Sequence, residues 1–170
     1  ADAGALAGMA ITGVAGTGWQ YSTDGVTWTA FGAVSATSAL LLADNARVRY
    51  VPNGQNGETA TFSYRAWDRT TGSASTNGTP SYVDPGAGGG STAFSTQNGT
   101  AQIVVTPVND APVLADTVLA LGGVTEDGAA PVGAVGTLVS SLVGGVSDVD
   151  TGALTGVAVT ATAGTGTWLY

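Results

Sequence analysis

Apolar and polar residues alternate along much of this chain in short bursts with a period of two, the signature of half-buried β-strands. Strands are predicted at GMAIT (8–12), GWQYS (18–22) and VTWTAF (26–31), with Thr23-Asp24-Gly25 as the turn between the last two. Further strands are predicted at SALLL (38–42), RVRYV (47–51), TATFSYRAW (59–67) and TAQIVVTPV (100–108), separated by turns at Asp44-Asn45, Pro52-Asn53-Gly54 and Asn56-Gly57. In TATFSYRAW the alternation sets Phe62, Tyr64 and Ala66 on one face and Ser63, Arg65 and Trp67 on the other. Beyond Pro112, TVLAL (117–121), TLVSSLV (137–143) and LTGVAVTAT (154–162) are the next candidates.

Residues 70–98 break this rhythm and predict a long loop with Tyr82 and Phe94 as its aromatics. Loops of that length are functional or disordered more often than idle. Asn77-Gly-Thr and Asn98-Gly-Thr match the glycosylation triplet, but Asn-Gly is first a turn dipeptide. At Val108-Asn-Asp-Ala-Pro-Val-Leu114 a strand ends, Pro112 withholds a backbone donor and a new apolar pattern starts. The boundaries expected are therefore one domain over 1–110 and a second over 111–170.

The chain also repeats itself. Residues 150–166 (DTGALTGVAVTATAGTG) match residues 2–18 (DAGALAGMAITGVAGTG) at 11 of 17 positions, an offset of 148. After one inserted residue, Thr167, the match resumes as Trp168-Leu169-Tyr170 against Trp19-Gln20-Tyr21. Shared Asp and Leu at an offset of 148, and Trp and Tyr at 149 after the insertion, mark a true repeat. The expectation is one period plus the opening of the next copy: 1–110 is the C-terminal portion of one β-sandwich repeat, with 70–98 as an insertion, and 111–170 the N-terminal portion of the next. Neither portion would close its own sandwich, so 111–170 is expected to pack against the equivalent of 1–110 in a neighbouring copy, head to tail.

Composition narrows the class. With 27 Gly, abundant Thr, Val and Ala, and little Glu, Lys or Gln, the fold class expected is all-β, an Ig-like or cadherin-like sandwich with a thin core. Arg47, Arg49, Arg65 and Arg69 are the only cations against 12 carboxylates, for a net charge of −8, so a nucleic-acid partner is excluded for want of a basic face. The absence of His and Cys removes the commonest bases and thiol nucleophiles, and no enzymatic activity is expected. No Cys also means no disulfide framework, and metal ions are the usual substitute in a small secreted module. No targeting or membrane element is expected within this window.

Acceptors gather in sequence around the boundary at Asn109-Asp110, Glu126-Asp127 and Asp148-Val149-Asp150, with Asp68 following Trp67 in the preceding domain. Calcium takes six to eight hard oxygens from loop carboxylates and carbonyls. A two-residue step in extended chain puts the Asp148 and Asp150 carboxylates on one side, and Gly152 permits a sharp exit. The competing readings are solvated loop charges, turn caps at Glu126 and Asp127, and a glycosidase-like carboxylate pair at Asp148 and Asp150.

The strings VTPVNDAPVL, TEDG and VSDVDTGAL, with RYVPNGQNGETATFSYRAWD upstream, resemble the cadherin-like repeats of giant bacterial surface adhesins exported by type I secretion. That resemblance covers essentially the whole chain. It implies an extracellular or cell-surface location and Ca2+ between successive domains, held by Asn109, Asp110, Glu126, Asp148 and Asp150. It assigns Asp68 and Asp2 to the junction before, where the counterpart of Asp148 would precede Ala1. The repeat exceeds the usual length of such a domain, with 70–98 as the insertion.

The function expected is a structural repeat that extends or polymerises a surface fibre, its partners being neighbouring copies of itself. The alternative is a carbohydrate-binding adhesive module in which Trp19, Trp28, Trp67 and Tyr82 stack on surface glycans. Against it, the Trp residues serve equally as core, and Trp19 recurs as Trp168 at the repeat spacing.

Overall fold

A computed structural model describes residues 6–115 and 118–170. The chain divides into two units, Ala1–Val108 and Asn109–Tyr170.

The first unit is an antiparallel β-sandwich built from its own strands, contrary to the expectation that 1–110 would not close one. Its strands are β1 (Gly8–Ala15), β2 (Trp19–Ser22), β3 (Thr29–Ala30), β4 (Ala39–Ala43), β5 (Arg47–Tyr50), β6 (Glu58–Trp67), β7 (Tyr82–Val83) and β8 (Phe94–Val105). One sheet has five strands in the order β7-β4-β1-β6-β8, and the other three in the order β3-β2-β5. Between them lies an aromatic-rich core: Ile11, Leu40, Leu42, Ala60 and Phe62 from the larger sheet meet Trp19, Tyr21 and Phe31. The Trp19 indole sits edge-on to Phe62 at 4.9 Å between centroids and to Tyr50 at 5.1 Å, within the range where ring quadrupoles favour such pairs.

The alternation in β6 holds in space, because Phe62 and Trp67 enter different clusters. Trp67 packs with Ala10, Ala39, Leu41, Ala93 and Phe94 on the far face of the five-stranded sheet. That face is covered by the segment expected as a long loop. Ser75, Ala93 and Phe94 are buried within it, Tyr82–Val83 adds an edge strand to Ala39–Leu40, and Thr76 and Thr79 form a bridge. Hydrogen bonds fasten it to the body of the sandwich. The Ser75 N–H donates to the Leu41 carbonyl at 2.9 Å, the Tyr21 hydroxyl to the Thr76 carbonyl at 2.9 Å, and the Tyr82 hydroxyl to the Phe31 carbonyl at 2.7 Å. The two glycosylation-type asparagines are engaged too: Asn77 Oδ1 accepts from the Thr23 N–H and Asn98 Oδ1 from Arg65 Nε.

Two strand limits differ from the expectation for identifiable reasons. VTWTAF contributes only Thr29–Ala30, because Asp24 Oδ1 accepts from the Val26 N–H at 2.7 Å and the Thr27 N–H at 2.8 Å and draws both into the turn. β8 starts six residues earlier than TAQIVVTPV and stops before Pro107, since its length is set by pairing with β6 from Trp67↔Phe94 to Glu58↔Val105.

The second unit has little regular structure among its described residues. Val113–Leu114 (β9) pairs with Val146–Ser147 (β10), and Val139–Ser141 forms a single 3-10 turn. Of the three strands expected here, 118–121 and 154–162 form no regular element, and 137–143 holds that turn instead; Thr117 lies outside the described residues. A strand persists only where neighbours take up its backbone N–H and C=O groups, and here none is paired in a sheet.

Trp67 is 2 % exposed and links β6 to the cover, so Trp67→Ala should destabilise the first unit by about 3–5 kcal/mol. Val104→Ala on the exposed part of β8 should change stability by no more than about 0.5 kcal/mol. Urea unfolding of the two variants checks the contrast, and equal effects would show that the far-face cluster is not a true core.

Candidate functional site at the Asp110–Asp148–Asp150 loops

The β9–β10 ladder pairs Val113 with Ser147 and Leu114 with Val146. Continuing that antiparallel register three residues outward sets Asp110 opposite Asp150, and the two are joined: the Asp110 N–H donates to Asp150 Oδ2 at 2.8 Å. The Asp150 N–H in turn donates to Asp148 Oδ1 at 2.8 Å, so the Asp-x-Asp step is closed by its own backbone. Chain direction reverses immediately afterwards, with Ala153 N donating to the Asp150 carbonyl at 3.2 Å and Gly152 at a φ of 82°, a conformation that favours glycine. Asn109 donates through Nδ2 to the Asp110 carbonyl at 2.8 Å. Asp110, Asp148 and Asp150 are half-buried and Asn109 is exposed.

Four of the seven candidates thus come together. Glu126 lies apart from them, in an exposed Thr125–Gly128 turn beside Asp127. Asp68 belongs to the first unit, just past β6. There its Oδ1 accepts from the Thr70 hydroxyl at 2.7 Å and the Thr70 N–H at 2.9 Å, and these bonds hold its carboxyl below the usual carboxylate range. Asp2 lies outside the described residues.

The donor chemistry suits a hard cation: carboxylates, a carboxamide and carbonyls, with no nitrogen or sulfur ligand. Among the described residues, however, no three acidic side chains converge in a metal-holding arrangement. Asp148 and Asp150 are held in one step, while Asp110 is aligned with them through its backbone N–H.

Sequence reasoning placed Asp24 in a turn but gave its carboxylate no role. Its Oδ1 accepts from the Val26 and Thr27 N–H groups and from the Ser22 hydroxyl at 2.9 Å, which keeps its carboxyl far below the usual range. The signal was present in Ser22-Thr-Asp-Gly25, a turn sequence whose Asp can bond its own following backbone.

The aromatic platform is divided. Trp19 and Trp67 are core residues with no ring face on the surface. Trp28 is only partly buried, contrary to a core role for every Trp, and one of its faces lies under the Arg49 guanidinium at 4.1 Å. Tyr82 is exposed at the edge strand with its hydroxyl already bonded to Phe31. Comparison of the chain with protein-family models, with curated proteins and with solved structures finds no match.

Because the Asp24 and Asp68 carboxyls are depressed in the folded state, each favours folding fully above the unfolded carboxylate pKa of about 3.9, and that contribution is lost as pH falls through the folded value. The Asp24→Asn/Asp68→Asn variant should therefore show a flatter decline of stability below about pH 4 than the parent chain. Denaturant midpoints measured from pH 2 to pH 6 give the comparison, and parallel profiles would show that neither carboxylate is linked to folding.

Proposed function

We propose that this chain is a structural repeat of an extracellular adhesin or surface fibre, extending or polymerising head to tail, with junctions stiffened by calcium. The observation that carries the reading is the internal repeat. The sequence that forms β1 and opens β2 in the sandwich recurs at 150–170, as expected of one module in a series. The all-β sandwich, the net charge of −8 and the absence of His and Cys are consistent with a mechanical role at a cell surface or in a biofilm matrix.

Calcium enters this reading through the resemblance and through the oxygen-only donor set. Asp148 and Asp150 would supply carboxylate ligands, with Asp110 and Asn109 adding oxygens from the facing loop. The ion would lock an Asp-x-Asp step that the backbone already half-orders. Of the four platform candidates Trp19 and Trp67 are buried, which leaves Trp28 and Tyr82 for sugar stacking, and glycan binding is accordingly the weaker reading.

If calcium binds here, adding it to the chelator-treated chain should slow amide exchange across Val146–Asp150 at least about tenfold, as a ligand restricted to the ordered state does at ten times its dissociation constant or more. Asp148→Asn/Asp150→Asn should abolish the response. Exchange that is the same with calcium and with chelator would overturn the calcium assignment while leaving the repeat intact.

A further inference from the structure

We infer that residues 156–170 are a second β1–β2 element, shaped to lie between the strands of another copy of residues 22–108. The inference rests on the tandem-repeat reading and is independent of calcium. The glycines carry it. In the first unit three glycines of the β1–β2 region have no room for a side chain. A Cβ on Gly8 would lie 2.7 Å from the Trp67 ring and 2.8 Å from the Leu42 carbonyl, and one on Gly16 would lie 2.7 Å from the Tyr50 hydroxyl. One on Gly18 would collide with the Val51 carbonyl. At the repeat offset all three remain glycine, as Gly156, Gly164 and Gly166. Yet around these three positions a Cβ would meet nothing within 4 Å. Gly13 is the control: it has open space in β1, and its counterpart is Ala161.

Glycine is therefore kept where Leu42 and Trp67, Tyr50 or Val51 of a sandwich would exclude a Cβ, and not at the position where the sandwich would admit one. Local folding accounts for Gly164, whose φ of 103° favours glycine, but not for Gly156 or Gly166, because glycine in a strand weakens it. Core positions follow suit. Buried Ala10 and Ile11 recur as Ala158 and Val159, and buried Trp19 and Tyr21 recur as Trp168 and Tyr170. Trp168 is 62 % exposed where Trp19 is 6 %. One local feature of the element is already formed: the Trp19 indole donates to the Ala15 carbonyl at 3.0 Å, and the Trp168 indole donates to the equivalent Ala163 carbonyl at 3.3 Å despite the inserted Thr167. What 156–163 lacks is the pair of flanking strands that β4 and β6 supply to β1.

The test compares the 170-residue chain with the same chain continued after Tyr170 by a second copy of residues 22–108. Hydrogen exchange read by mass spectrometry distinguishes 156–163 from 8–15, because their sequences differ. In the extended chain exchange across 156–163 should slow by at least about a hundredfold and approach that of β1, with calcium or with chelator alike. Gly156→Val should remove this gain while β1 of the first sandwich stays protected, and Ala161→Gly should largely retain it. Equal exchange of 156–163 in the two chains would overturn the inference. A gain that survives Gly156→Val would overturn the register. Loss of the calcium response at Val146–Asp150 with the gain intact would instead count against calcium alone.

Discussion

The first unit depends on one constraint: strand β4 of its five-stranded sheet is buried on both faces. Every residue of β4, Ala39–Ala43, is buried, with Leu40 and Leu42 in the cluster facing the second sheet and Leu41 in the cluster on the far side. A strand of this kind needs cover above and below, and an ordinary two-sheet sandwich covers only one side. The far side is closed by residues between β6 and β8. Trp67 fixes the geometry there, since its ring fills the space that a Cβ on Gly8 would need, and Leu41 does the same at Gly72. The insertion is thus a third layer of the core. It also explains why a chain with small apolar residues and three Phe can sustain a sandwich: Trp19 serves one cluster and Trp67 the other.

The second unit shows what the same composition does without that cover. Leu154, Val159 and Trp168 are apolar residues left in solvent, and the described backbone around them belongs to no sheet. Burying such side chains is worth roughly 1.5–3 kcal/mol each, but only when strands exist to bury them against. The glycine pattern carries the same message in steric form. Three positions that exclude a Cβ in the sandwich, Gly8, Gly16 and Gly18, are glycine again at 156, 164 and 166.

The acidic loops are governed by register. A two-residue ladder, β9 with β10, is enough to align Asp110 with Asp150 across residues distant in sequence, and the Asp-x-Asp step then closes on its own N–H. Glu126 is near these residues in sequence order but lies in the separate Thr125–Gly128 turn. The proposed cation would draw on groups that the ladder has already aligned, which lowers the ordering cost of binding.

Much of this was legible in the sequence. Period-two alternation located β1, β2, β5 and β6 and set Phe62 and Trp67 on opposite faces, and a short apolar run located β4. Val-Asn-Asp-Ala-Pro marked the change of unit, and Asp148-Val-Asp150 marked the loop that meets Asp110. These are local facts, written in side-chain order and turn chemistry. Partners decided the rest. β8 runs back to Phe94 because β6 is there to pair with it, residues 70–98 are ordered because the far face of the sheet needs cover, and β3 is short because Asp24 claims the preceding N–H groups. Residues 154–162 carry as good a strand pattern as 8–12 and form no strand. Alternation states which faces a segment can present, whereas a strand exists only when neighbouring backbones accept its hydrogen bonds, and that is settled in three dimensions.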